Sequence, residues 1–118
     1  MIQLRSVLIP ADNTGAKKLN VIHTKAKFAR IGEVVTCVVN EADPNGAVKD
    51  SQIVKAVVVR TKKELKRKDG SYIRFDDNAA VIVDKTGSPL GTRIFGPIAR
   101  EVKEKHFNKI ASLATELV

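Results

Sequence analysis

The sequence predicts a mainly β protein, a small barrel or sandwich with short helices near its C-terminal end. Three observations carry this reading. Short runs rich in β-branched residues recur along most of the chain. Turn signals separate them: Pro10 with Asp12-Asn13-Thr14-Gly15, then Asp43-Pro44-Asn45-Gly46, then Asp69-Gly70. After Pro97 the apolar spacing changes to that of helices, with Ile98 and Val102 four apart and Phe107, Ile110 and Ala111 on one side.

In chain order, residues 2–9 read as a first strand and residues 19–22 as a second. Residues 33–39 are β-branched and apolar, as in a buried strand, and residues 53–61 hold the run Val57-Val58-Val59. Asp69-Gly70 reads as the turn of a hairpin between residues 65–67 and 72–75, because glycine takes the positive φ that a tight turn requires. Residues 79–83 form the next strand, followed by the loop Lys85-Thr86-Gly87-Ser88-Pro89. Pro97 suits a helix start. The helical segment is expected to pack its apolar side on the β core and leave Arg100, Lys103, Lys105 and Lys109 wet. With no linker or repeat, residues 1–118 read as one domain.

The 118 residues are 43% hydrophobic, enough for a core, and no apolar run approaches the roughly 20 residues of a membrane span. The start of the chain lacks a signal-peptide pattern, so no export address is expected. The net charge is +8, which favours a polyanionic partner. Six cations fall in the nine positions 60–68: Arg60, Lys62, Lys63, Lys66, Arg67 and Lys68. A ribbon this basic repels itself unless a counter-charge screens it, and phosphate is the obvious candidate; the alternative is a solvated hairpin charged for solubility. Lys17, Lys18, Lys25, Lys27 and Arg30 form a second basic group, and Arg93 with the C-terminal cations a third. With four Phe, one Tyr and no Trp, aromatic platforms for single strands are scarce, so folded RNA read by backbone and shape fits better. A membrane surface fits poorly, because no helix joins a basic face to large exposed apolar residues.

Catalytic chemistry is missing from the pattern. His23 and His106 lie in unrelated segments without metal-ligand spacing. The glycines of Gly91-Thr92-Arg93-Ile94-Phe95-Gly96 are spaced as in a phosphate loop but lack the following Lys-Ser/Thr. Asp76-Asp77 reads as turn or surface carboxylates, since neighbours on an extended segment face apart. Cys37, the single cysteine, sits in an apolar run and reads as a small buried hydrophobe with no cation to activate it. Neither a catalytic residue, a metal nor a cofactor is expected.

The segment Ala56-Val57-Val58-Val59, nine residues, Asp69-Gly70, four residues, Phe75, two residues, Asn78, two residues, Val81-Ile82 resembles the signature of the universal large-subunit ribosomal protein fourteen family. The resemblance extends to Met1-Ile2-Gln3, to Ala11-Asp12-Asn13-Thr14-Gly15-Ala16, to Gly91-Thr92-Arg93-Ile94-Phe95-Gly96-Pro97 and to Lys109-Ile110-Ala111-Ser112-Leu113-Ala114. It implies a small five-stranded β-barrel with a projecting basic hairpin and short C-terminal helices. It also implies a structural protein that binds large-subunit ribosomal RNA and neighbouring ribosomal proteins, bridges to small-subunit RNA, and offers a surface to a ribosome-silencing factor. The location implied is the ribosome of a bacterial cytoplasm or an organelle.

On that frame the RNA-binding set is Asn13, Thr14, Lys17, Lys18, Lys25, Lys27, Arg30, Lys49, Arg60, Thr61, Lys62, Lys63, Lys66, Arg67, Lys68, Ser71, Arg74, Arg93 and Arg100. The set facing the small subunit is Asn40, Glu41, Asp43, Asn45, Thr115 and Glu116. The chain departs from the family at residues 23–30, where a glycine- and arginine-rich loop is replaced by a shorter one with fewer cations, and at Thr115, where proline is usual. Two rivals belong to other classes: a small-barrel enzyme, which a deep pocket with perturbed titratable groups would favour, and a free-standing RNA-binding regulator, which would not sediment with ribosomal subunits.

Overall fold

The computed structural model describes residues 2–118; Met1, the first residue of the opening motif, lies outside them. Five strands close a barrel in the order β1-β2-β3-β4-β7: β1 Val7–Pro10, β2 Ala16–His23, β3 Val34–Ala42, β4 Ile53–Arg60 and β7 Ala79–Val83. All pairings in the barrel are antiparallel except the closing one, where β1 runs parallel to β7 with Ile9 opposite Ala79. The hairpin β5 Leu65–Lys66 and β6 Tyr72–Ile73 stands apart from the barrel sheet. A second small sheet pairs β8 Pro97–Ile98 with β9 Glu116–Leu117 in parallel, and the helices α1 Glu101–Glu104 and α2 Asn108–Leu113 lie between them in sequence.

Alternation fixes which side chains fill the barrel. In β3 Val35, Cys37 and Val39 are buried while Val34, Thr36 and Val38 are only half-buried. Opposite them stand Ala56 and Val54 of β4 and Val21 and Leu19 of β2, and Ala56 in turn faces Ile82 of β7. Directly paired residues point to the same side of a sheet, so this set forms one continuous interior. β7 is buried at every position, and β4 from Ala56 onward, as strands covered on both faces are. The second cover is the C-terminal segment: α1 packs on β4, the Ala99 amide donates to the Val59 carbonyl (3.3 Å), and Ile98, Val102 and Ile110 are fully buried. Each of these three side chains contributes about 1.5–3 kcal/mol of burial to holding the segment down.

Several sequence expectations change in detail. The first strand is not residues 2–9 but Val7–Pro10, because Arg5 takes φ 69° and breaks the run, leaving Ile2 to bridge Ala29. Pro97 does not start a helix. It opens β8, and the helix begins at Glu101, because Ile98 is drawn into a bridge with Leu117. Ile98 and Val102 thus share burial but not an element. The Asp69-Gly70 turn is part of a longer loop: Lys66 pairs with Tyr72, the Gly70 amide donates to the Arg67 carbonyl (3.0 Å), and Gly70 carries φ 89°. The third strand runs past Val39 to Ala42, with Glu41 at φ 61°.

Candidate nucleic-acid interface

The site begins with a joint between two motifs far apart in sequence. Asn13 Oδ1 accepts from the amides of Thr92 (2.8 Å) and Arg93 (3.1 Å), and its Nδ2 donates to Thr92 Oγ1 (2.8 Å). The Phe95 amide donates to the Ala11 carbonyl, and Asp12 bridges Ile94. Asp12 is itself buried, and its carboxylate accepts from Thr14 Oγ1 (2.8 Å) and from the Ile82 amide (3.0 Å). Burial raises the Asp12 carboxyl above its ordinary range, more than these hydrogen bonds lower it. Of Asn13 and Thr14, both in the expected RNA-binding set, Thr14 is fully buried, while Asn13 stays exposed although its amide is bonded to the 92–93 backbone and to Thr92.

The basic run at 60–68 divides into two kinds of cation. A bulge between Val58 and Arg60 shifts the β4–β7 register. The Arg60 side chain, 10% exposed, bonds Asp77 Oδ1 (2.9 Å) and the carbonyls of Phe95 (2.9 Å) and Pro97 (3.1 Å). Gly96, at φ 78°, makes room for it: a Cβ there would stand 2.5 Å from Arg60 Nη1. Asp77, read from sequence as a turn or surface group, is thus an internal counter-ion. Arg67 forms a bidentate pair with Glu101 (3.0 and 3.1 Å) and reaches the Val118 carbonyl oxygen, tying the hairpin to α1. Thr61 is buried with its hydroxyl on the Lys63 carbonyl. Lys62, Lys63, Lys66 and Lys68 are exposed, and among the described residues only Lys63 of these four meets an acid, Glu64 at 3.8 Å. Ser71 caps the loop on Asp69, which holds that carboxyl below its ordinary range.

The remaining expected cations, Lys17, Lys18, Lys25, Lys27, Arg30, Lys49, Arg74, Arg93 and Arg100, are all exposed. Lys27 lies over the Phe28 ring, 5.7 Å from its centroid. Lys18 stands directly opposite Asn40, which brings the second basic group beside the 40–45 loop. That loop is pinned to the first turn. The Asp43 amide donates to Gly15, the Ala47 amide to Thr14, and a Cβ on Gly46 would lie 2.5 Å from the Thr14 oxygen. Asn40, Glu41, Asp43 and Asn45 are exposed, as are Thr115 and Glu116 beside β8. The structure joins 40–45 to 13–16 and 115–118 to 97–98, with the segment 91–97 running between the two.

Sequence reasoning passed over Lys55 and Lys85, which line a groove together with Lys25. The signal for Lys55 was its place as a lone cation at an outward position of β4. Cys37 is buried as expected, and burial pushes its thiol up to about 12. Among the described residues, no group of three His, Cys, Asp or Glu side chains could hold a metal ion. The geometry presents exposed lysines on a frame braced by internal hydrogen bonds.

A family model described as Ribosomal protein L14p/L23e matches residues 1–118. Among curated proteins, the large ribosomal subunit protein uL14 of Petrotoga mobilis is 57% identical over 121 residues, covering 99% of each chain.

Proposed function

We propose that this chain, which belongs to the ribosomal protein L14p/L23e family and is a non-enzymatic structural constituent of the large ribosomal subunit, binds large-subunit ribosomal RNA through its lysines. The observation that carries this reading is the division of the basic run at 60–68. Its two arginines are committed to Asp77 and Glu101, and they brace a platform from which Lys62, Lys63, Lys66 and Lys68 face solvent. A braced platform presents its cations without losing backbone freedom on binding, and each phosphate it neutralises releases counterion. Lys17, Lys18, Lys25, Lys27, Arg30, Arg74, Arg93 and Arg100 extend the same electrostatic surface.

The 40–45 loop, with Thr115 and Glu116, faces small-subunit ribosomal RNA. Glu41 and Asp43 cannot pair with phosphate, so the contact runs through Asn40, Asn45, Lys18, Lys49 and water. Individually weak contacts suit a bridge that forms and breaks as subunits join. Exposed Tyr72, Phe95 and Leu113 supply apolar contact for neighbouring ribosomal proteins, and a ribosome-silencing factor is a further partner.

Replacing Lys62, Lys63, Lys66 and Lys68 with alanine tests the first assignment. The slope of log affinity for ribosomal RNA against log salt should flatten by about 0.7–0.9 for each phosphate that is no longer neutralised. An unchanged slope would leave the hairpin a solvated arm. Sucrose-gradient sedimentation separates the ribosomal role from a free-standing regulator, since only the former travels stoichiometrically with large subunits.

A further inference from the structure

We infer that the groove between the start of β3, the 84–88 turn and the segment joining α1 to α2 is a binding site for one unstacked nucleotide of folded RNA. The inference deepens the RNA-binding reading and rests on it. The groove, open along one side, has a volume of about 400 Å³, within the roughly 300–1,000 Å³ of ligand clefts. Its apolar surface comes from Val34, Val83 and Phe107, and its cations are Lys25, Lys55 and Lys85. Three separate segments supply those lysines, so their convergence is a property of the fold and not of a charged run.

Two features fit a nucleotide better than a bare phosphate or a duplex. The Phe107 ring lies against the 84–88 turn: a Cβ on Gly87 would stand 3.3 Å from ring Cε1. Half-buried Phe107 can offer the exposed part of its ring to a base, and such a surface is of use only to a base that has left its stack. The lysines meanwhile carry no ion pair among the described residues, so their ammonium groups are available to the flanking phosphates. The one acid lining the groove is Asp84. Its carboxylate is turned to the 84–88 turn, where it accepts from the amides of Thr86 (2.9 Å) and Ser88 (3.0 Å) and from Thr86 Oγ1 (2.7 Å). Those bonds, led by the Thr86 hydroxyl, hold it below its ordinary range, so it fixes the turn that carries Lys85. A duplex hides its base faces and would use only the lysines.

Ultraviolet irradiation of purified large subunits, followed by mass spectrometry of the peptides, tests the site. A nucleotide adduct is expected on Phe107 or on residues 84–87, and it should vanish in Phe107→Leu, which keeps the apolar packing. The Lys55→Ala/Lys85→Ala variant of the full chain should lower the salt slope for ribosomal RNA by about 0.7 per lysine. A chemical crosslink from Lys55 or Lys85 to another protein, with no nucleotide adduct, would assign the groove to an acidic neighbour and overturn the inference. If the hairpin variant changes the slope and Lys55→Ala/Lys85→Ala does not, the groove fails while the RNA-binding reading stands. If neither variant changes it, the RNA-binding reading itself falls.

Discussion

Cys37 faces Val21 on one side and Val54 on the other, inside the barrel wall. Its thiol is raised from 9.0 to about 12 because burial disfavours the thiolate. The unfolded chain ionises first as pH rises, so stability is full below about 9 and is lost as pH climbs toward 12. Cys37→Ala should therefore cost about 1–2 kcal/mol at neutral pH, by loss of packing, yet flatten the decline of the urea midpoint between pH 9 and 12. Rapid labelling of the native protein by a thiol reagent would contradict this burial. Two glycines give a second contrast. Gly46→Ala drives a methyl against the Thr14 carbonyl at 2.5 Å and the Gly15 Cα at 3.0 Å, and should cost about 1–3 kcal/mol in chemical denaturation. Gly70→Ala has open space around it and suffers only its φ of 89°, so about 1 kcal/mol is expected.

The hairpin is an element whose placement depends on one side chain. Arg67 and Glu101 are 15% and 19% exposed, a pair removed from most screening. Glu101→Ala should free the β5–β6 arm from α1, and hydrogen exchange at Tyr72 and Ile73 should speed up by at least tenfold, with barrel amides unchanged. Arg67→Lys should not restore protection, because an ammonium cannot match both carboxylate oxygens. Equal exchange in both variants and the parent would mean the pair is ornamental. This pairing marks the limit of what the sequence made legible. β-Branched apolar runs and turn residues sufficed to place β4, β7 and the hairpin, because those signals are local. The fates of Arg60, Arg67 and Asn13 were not legible. Each is polar in a stretch that reads as exposed, and each finds its partner 17 to 80 positions away, across contacts that only the closed fold creates. Pro97 misled for the same reason, since its strand partner is Glu116.

At the scale of the whole molecule, charge is distributed by task. Two arginines, Arg60 and Arg67, use their planar, multiple donors as internal braces at Asp77 and Glu101, while the lysines, on flexible stems, and Arg30, Arg74, Arg93 and Arg100 are left outside, where charge alone suffices for phosphate. The 40–45 loop is the acidic exception, and Glu41→Lys/Asp43→Lys should strengthen subunit association in light scattering without altering assembly of the large subunit. Disturbed assembly with unchanged association would place the loop against large-subunit RNA instead. The closing seam of the barrel, where β1 meets β7, also dictates an order of events during synthesis. A nascent chain that has reached β4 holds a four-stranded sheet with both margins bare, β1 waiting for a partner more than sixty residues downstream. The ring cannot shut until Ala79–Val83 has left the exit tunnel, and the C-terminal cover cannot settle until after that. Ribosome-bound chains arrested after residue 70 should therefore be captured by chaperones and cut by protease, and chains arrested long enough to expose β7 should escape both.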